Sequence, residues 1–171
     1  MPKKVLVAIL GSTGYVGLEL TKILSKHPNV EIVFLGSENN PETSIEKVGK
    51  LILDKKLPLT QLNKNFDYRN ADTVFLSLPH GVSNEFVKHY YNKIQIIDLS
   101  ADFRLNDFNS YKKNYGKNHS CPDLLNNFIY GLPEFNKDIL FKCNNNILLR
   151  VLLEEVIFIH FISDLDSYLL V

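Results

Sequence analysis

The chain has only two cysteines in 171 residues, Cys121 and Cys143, and no Cys-x-x-Cys pair. Two thiols without a framework exclude a disulfide-stapled secreted scaffold, and the absence of clustered Cys and His spacings leaves a structural zinc site without ligands. His80, His89, His119 and His160 are scattered. Each reads as a surface or packing histidine, so no metal site is expected. Net charge is lacking as well, since 19 basic and 19 acidic side chains cancel. A sequence pI of about 7.0 offers no electrostatic footprint for nucleic acid or an anionic membrane. Long uncharged apolar runs are also missing. The most apolar stretch, residues 146–171, is broken by Glu154, Glu155, His160 and Asp164, too often for a membrane span. The opening Met1-Pro2-Lys3-Lys4 leads into a strand pattern, unlike a secretory leader, and a reducing cytoplasm is the expected compartment.

Glycine is sparse too, at eight residues, yet three of the eight fall within seven positions. The run is Gly11-Ser12-Thr13-Gly14-Tyr15-Val16-Gly17, directly after the apolar Val5-Leu6-Val7-Ala8. A strand therefore enters a glycine-punctuated turn that opens a helix, the context a dinucleotide phosphate cradle requires. The first glycine permits the tight turn, the second lets a pyrophosphate approach the backbone, and the third lets the helix pack on the strand. Donor groups and partial positive charge at the helix N-terminus complete the anion site.

The helix is legible from Val16, Leu20, Ile23 and Leu24 on one face, ending before His27-Pro28-Asn29. Val30 to Leu35 reads as a second strand and Ser37 to Ser44 as a loop. Asp72 to Leu78 reads as a third strand stopped at Pro79-His80-Gly81. A helix is predicted over Ser83 to Tyr91, with Ser83 and Asn84 as candidate caps and Phe86, Val87 and Tyr90 as its apolar face. Ile94 to Leu99, almost wholly apolar, is a strand covered on both faces. This alternation predicts an α/β fold, a Rossmann-like, doubly wound and mostly parallel sheet. From about residue 105 the pattern turns aromatic and polar, which reads as loops and short elements over the site.

Ligands in such sheets bind outside the carboxyl ends of the strands, where two further polar motifs fall. They are Leu78-Pro79-His80-Gly81-Val82-Ser83 and Asp98-Leu99-Ser100-Ala101-Asp102-Phe103-Arg104. Read alone, the second is equally well a turn with a local Asp102–Arg104 ion pair.

Together with His27-Pro28 and Tyr130-Gly131-Leu132-Pro133-Glu134, these motifs resemble the N-acetyl-γ-glutamyl-phosphate reductase family, an NADPH-dependent enzyme of arginine biosynthesis. Their order and spacing hold over residues 5 to about 140. The motifs at 78–83 and 98–104 separate this family from the related aspartate semialdehyde dehydrogenases. The resemblance implies that Gly11, Ser12, Thr13, Gly14, Tyr15, Val16 and Gly17 hold the cofactor pyrophosphate and that Ser37 lies near the adenosine ribose. It places Leu78, Pro79, His80 and Gly81 beside the cofactor's inner half. Ser100, Asp102, Arg104, Tyr130 and Glu134 are placed in the substrate site. NADP is the implied cofactor, a small acyl phosphate the implied substrate, and a homo-oligomer the family's state. Family members often have a basic residue beside the position of Ser37; this chain has Glu38, which suits the free 2′-hydroxyl of NAD.

Family chemistry also needs a cysteine thiolate that attacks the acyl phosphate and forms a thioester for hydride reduction. By resemblance it belongs near positions 150–153, which read Arg150-Val151-Leu152-Leu153. Cys143 stands too early and without a glycine turn, and Cys121 earlier still, so no catalytic residue is assigned. The expected division is an NAD(P)-binding domain over 1–145 and an apolar tail over 146–171 that does not resemble the family, with no catalytic domain. Abundant Lys and Asn with scarce Arg suggest AT-rich coding, and a reading-frame shift near Lys142 to Asn146 is the favoured explanation. The expectation is a reductase sequence that binds nucleotide without turning over. A non-catalytic nucleotide-binding module is the alternative, and a relative of the aspartate semialdehyde dehydrogenases is a third reading, disfavoured by the motifs at 78–83 and 98–104.

Overall fold

The computed structural model describes residues 3–131 and 147–149. Glu134, Cys143 and most of the 146–171 segment lie outside the described residues. The strands are β1 (Val5–Leu10), β2 (Val30–Gly36), β3 (Thr73–Leu76), β4 (Gln95–Asp98), β5 (Ile129–Gly131) and β6 (Ile147–Leu149). They form one sheet in the order β2-β1-β3-β4-β6-β5, with every pairing parallel. Helices α1 (Tyr15–Lys26) and α3 (Val82–Tyr90) make the crossovers β1 to β2 and β3 to β4. The short α2 (Ile45–Gly49) and α4 (Phe108–Tyr115) lie in the longer connections.

Burial on both faces explains the near-continuous apolar strands. Along β1, Val5, Val7 and Ile9 point into one core with Leu20 and Leu24 of α1. Ala8 and Leu10 point into the other, with Val87 of α3 and Phe103. A register shift between Val7 and Ala8 skips Val33 on β2. Ile32 and Leu35 consequently join the α1 side and Phe34 the α3 side. On that second face Phe66, Phe86 and Tyr90 form an aromatic cluster, with ring centroids 4.4 to 6.1 Å apart, a spacing that adds directional attraction to area burial.

The structure corrects two local readings and specifies a third. Ser83 and Asn84 are not the caps of α3: the helix begins at Val82, and its cap is Gly81 at φ 89°, with both polar residues buried in the first turn. Among the short elements expected after residue 105 is the helix α4, whose position the sequence does not mark. Asp107 caps it, accepting from the Ser110 N–H at 2.7 Å, and Gly116 ends it at φ 68°. Only Tyr111 of that helix is buried, so its sequence shows no apolar period. Finally, the Asp102 carboxylate pairs with His80 rather than Arg104.

Candidate functional site

The turn between β1 and α1 is shaped by contacts that exclude a side chain. Gly11 sits at φ +77°, and a Cβ there would lie 2.1 Å from the Ser77 carbonyl oxygen; at Gly17 a Cβ would lie 2.2 Å from the Gly11 oxygen. Both distances are far inside van der Waals contact, so the turn, β3 and α1 approach this closely only with glycine at both positions. At Gly14 the nearest atom to a Cβ is the Gly11 oxygen at 3.4 Å. Gly14 is thus not needed for packing. It is the N-cap of α1, and its bare backbone faces a cleft.

That cleft has a volume of about 370 Å³, within the usual range for a small-molecule site. Its floor is the glycine turn, Gly11, Thr13, Gly14, Tyr15 and Val16, with one flank made by Glu38, Asn39 and Asn63 and the other by Ser77, Leu78, Pro79 and Leu99. The N-terminus of α1 opens into it, with no acidic residue in the first turn. Bare glycine backbone, a positive helix end and an apolar flank together fit a dinucleotide: phosphates against the turn and a flat ring against Leu78 and Pro79.

Several of the residues expected at the cofactor lie one layer beneath. Ser12 is fully buried, and both its N–H and its hydroxyl donate to the Gly36 carbonyl, at 2.8 and 3.0 Å, tying the turn to the end of β2. Ser37 is buried as well. Its hydroxyl is 2.7 Å from Thr13 Oγ1 and accepts from the Asn40 N–H at 3.1 Å, so it braces the cradle from behind. Gly17 packs under the turn. Asn63, Ser77 and Leu99 line the cleft without having been expected there. Asn63 arrives from a distant loop, where its side-chain oxygen accepts from the Gly11 N–H at 3.3 Å. No local pattern marks it.

His80 and Gly81 belong to a second, polar centre around Asp102, which is wholly buried. The Gly81 N–H donates to both Asp102 oxygens at 2.9 and 2.8 Å, and His80 Nδ1 stands 2.5 Å from Oδ1. The Tyr111 hydroxyl donates to Oδ1 at 3.3 Å, and His119 Nε2 contacts the Asp102 carbonyl at 3.1 Å. One carboxylate thus holds the loop after β3, the loop after β4 and helix α4 together. Ser100 stands between Asp102 and Asp98: its hydroxyl donates to Asp98 Oδ2 at 2.8 Å and accepts from the Asp102 N–H at 3.1 Å. Ser100 and Asp102 therefore act from beneath the surface. Arg104 is partly buried at the edge of this centre; Tyr130 lies on β5, and Glu134 falls outside the described residues. Tyr111, His119 and Asn84 complete the centre. The sequence suggests only a surface or packing histidine at His119 and a helix cap at Asn84, and no part in a polar centre for any of the three.

Burial dominates the ionisation of this centre. It pushes Tyr111 up to about 12 and Cys121 up to about 11, and it lowers His119. Cys121 is thus an inert thiol. Asp98, completely buried, is pushed from the ordinary 3.8 to about 6, chiefly by desolvation and further by the Asp102 carboxylate, against the hydrogen bonds from Ser100. A carboxyl raised on folding holds its proton more tightly in the folded state, so its contribution to stability declines as pH rises from about 4 to about 6. The gap corresponds to about 3 kcal/mol. Asp98→Asn should therefore gain about 2–3 kcal/mol relative to the parent between pH 4 and pH 7.5, measured by urea unfolding at both. A stability difference independent of pH would show that Asp98 is not raised.

Residues 6–142 match the family described as "Semialdehyde dehydrogenase, NAD binding domain", and the chain belongs to that family. Among curated proteins it is similar to the N-acetyl-gamma-glutamyl-phosphate reductase of Ehrlichia ruminantium, at 43% identity over 136 residues, covering 78% of this chain and 39% of that protein. The reductase of the same name from Caldicellulosiruptor saccharolyticus is 46% identical over 135 residues, covering 77% and 38%. The chain thus spans about two-fifths of the length of the relatives it matches. Among solved structures, aspartate semialdehyde dehydrogenase II of Vibrio cholerae aligns with TM-score 0.60 at 19% identity, over 87% of this chain and 42% of that one. The Candida albicans enzyme with NADP aligns with TM-score 0.57 at 18% identity, over 86% and 42%. These likenesses carry the fold.

Proposed function

We propose that the chain binds a nicotinamide dinucleotide, NADP or NAD, along Gly11–Gly17, as the nucleotide-binding part of an enzyme that reduces N-acetyl-γ-glutamyl phosphate to N-acetylglutamate semialdehyde and releases phosphate. The observation that carries the nucleotide reading is the cradle, a turn whose packing tolerates no side chain at Gly11 or Gly17 and whose Gly14 leaves backbone open to the cleft. The substrate reading rests on the relatives' names and on the motifs at 78–83 and 98–104. Ser37 serves by bracing Thr13, and Leu78 and Pro79 serve by supporting the nicotinamide half. Ser100 and Asp102 hold the loop that Arg104, Tyr130 and Glu134 would share with substrate. The cofactor would supply hydride; this chain's residues orient it and shield one face. Among the described residues no helix is long and apolar enough to cross a membrane, and the biosynthetic reading places the protein in the cytoplasm.

The positions expected to carry the attacking thiolate read Arg150 to Leu153, so the chain by itself should bind without turning over. The test combines calorimetric titration with both dinucleotides and an assay of phosphate-dependent reduction of NAD+ or NADP+ by N-acetylglutamate semialdehyde. Saturable binding with no turnover is the expected outcome. Turnover would overturn the assignment of an inactive chain, and absence of binding would overturn the nucleotide reading.

A further inference from the structure

The two flanks of the cleft differ in charge, and the difference bears on which dinucleotide enters. The flank on the β2 side is Glu38, Asn39 and Asn63. Glu38 is the one charged residue among the cleft's lining residues, which include no Lys or Arg. It lies two residues past the end of β2, and its position is fixed, because Oε1 accepts from the Asn63 N–H at 3.2 Å. Asn63 in turn accepts from the Gly11 N–H at 3.3 Å. A short chain of hydrogen bonds thus holds the carboxylate against the glycine turn.

In sheets of this type the adenosine lies toward the second strand, and an acidic residue about twenty positions beyond the glycine turn accepts a hydrogen bond from the ribose 2′-hydroxyl. Glu38 stands at that place. NADP differs from NAD only by a 2′-phosphate, which brings a charge of about −1.5 to −2. Set beside a carboxylate with no cation on the same wall, that charge meets repulsion where the hydroxyl would donate a hydrogen bond. Lys64, which follows Asn63 in the chain, does not line the cleft, nor does Lys47.

We propose that Glu38 selects against a 2′-phosphate, so that this chain takes NAD(H) in preference to NADP(H), contrary to the cofactor its family resemblance implies. The proposal rests on the reading above that the cleft holds a nicotinamide dinucleotide. Like charges in close approach near a protein surface cost about tenfold or more in an equilibrium constant. Because Glu38 is solvent-exposed, salt should weaken the effect.

The experiment is calorimetric titration of the full chain with NAD+ and with NADP+ at about 20 mM and 200 mM salt, in the low- and high-screening regimes, for the parent, Glu38→Gln and Glu38→Arg. Gln keeps an acceptor for the Asn63 N–H, so the loop is retained while the charge is removed. The expected result is NAD+ tighter by at least about tenfold in the parent at low salt, and a smaller preference at high salt. In Glu38→Gln the two dinucleotides should bind within about threefold of each other, and in Glu38→Arg NADP+ should bind more tightly. Equal or tighter NADP+ binding by the parent would overturn the proposal while leaving the nucleotide site standing, as would a preference unchanged in both variants. Failure of both dinucleotides to bind would overturn the nucleotide reading and this proposal with it.

Discussion

Gly17→Ala should lower the melting temperature by about 6–12 °C and weaken dinucleotide binding by at least about tenfold. The new Cβ would stand 2.2 Å from the Gly11 oxygen, 2.7 Å from Ser12 Cα and 2.9 Å from the Ser12 carbonyl carbon. All three are backbone atoms of the cradle, so no side chain can swing away. Helix α1 must retreat from the turn, which disturbs the packing of Leu20 and Leu24 on β1. Overpacking of this kind costs about 1–3 kcal/mol, the upper end applying where backbone must move. In a chain of this size each kcal/mol is worth about 2–4 °C. Gly14→Ala provides the contrast. Its Cβ would meet only the Gly11 oxygen, at 3.4 Å, so melting should change by less than about 2 °C, as for a substitution outside any named packing contact. Thermal melts of the two variants measure the difference. A Gly17→Ala chain as stable as the parent would contradict the described contact of α1 with the turn.

Asp102→Ala should destabilise the fold by about 3–5 kcal/mol, the range for removing one partner of a buried charged network. The carboxylate satisfies the Gly81 N–H and the Tyr111 hydroxyl and stands against His80. Without it these donors remain in a site that water does not freely reach, and each unsatisfied group adds about 1–3 kcal/mol. Asp102→Asn should cost less, because the amide oxygen can still accept from Gly81. The loop at Gly81 should also loosen. Hydrogen exchange at the Gly81 amide, protected in the parent, should become rapid in Asp102→Ala even under conditions where β1 remains protected. If urea unfolding shows a loss below about 1 kcal/mol, Asp102 does not unite the two loops and α4.

Much of the fold could be read in advance because local pattern and tertiary environment agree in its first half. Val5 to Leu10, Val30 to Leu35 apart from the exposed Glu31, and the α1 stripe of Leu20 and Leu24 are apolar where the sheet is covered on both sides. The glycines announce the turn because the backbone contacts leave Gly11 and Gly17 no alternative. What was not legible arises from contacts between distant segments. Asn63 reaches Gly11 from 52 residues away, and nothing near it signals a site. Helix α4 buries one residue and is held by its caps, so periodicity could not reveal it. Ser12 and Ser37 fall in the motifs, yet both are buried beneath the cleft, and a motif cannot tell a side chain that lines a cleft from one that braces it from below. The Asp102–Arg104 pairing that proximity in sequence leaves open as an alternative yields to His80, whose ring stands against the carboxylate.

The most direct test of the nucleotide site is calorimetric titration of the parent and Gly14→Ala with NADH. Saturable one-to-one binding by the parent, lost or weakened by at least about tenfold in a Gly14→Ala chain that melts like the parent, is the predicted result. Binding of equal strength by both proteins would contradict it, because the phosphates would then not lie against the Gly11–Gly17 turn.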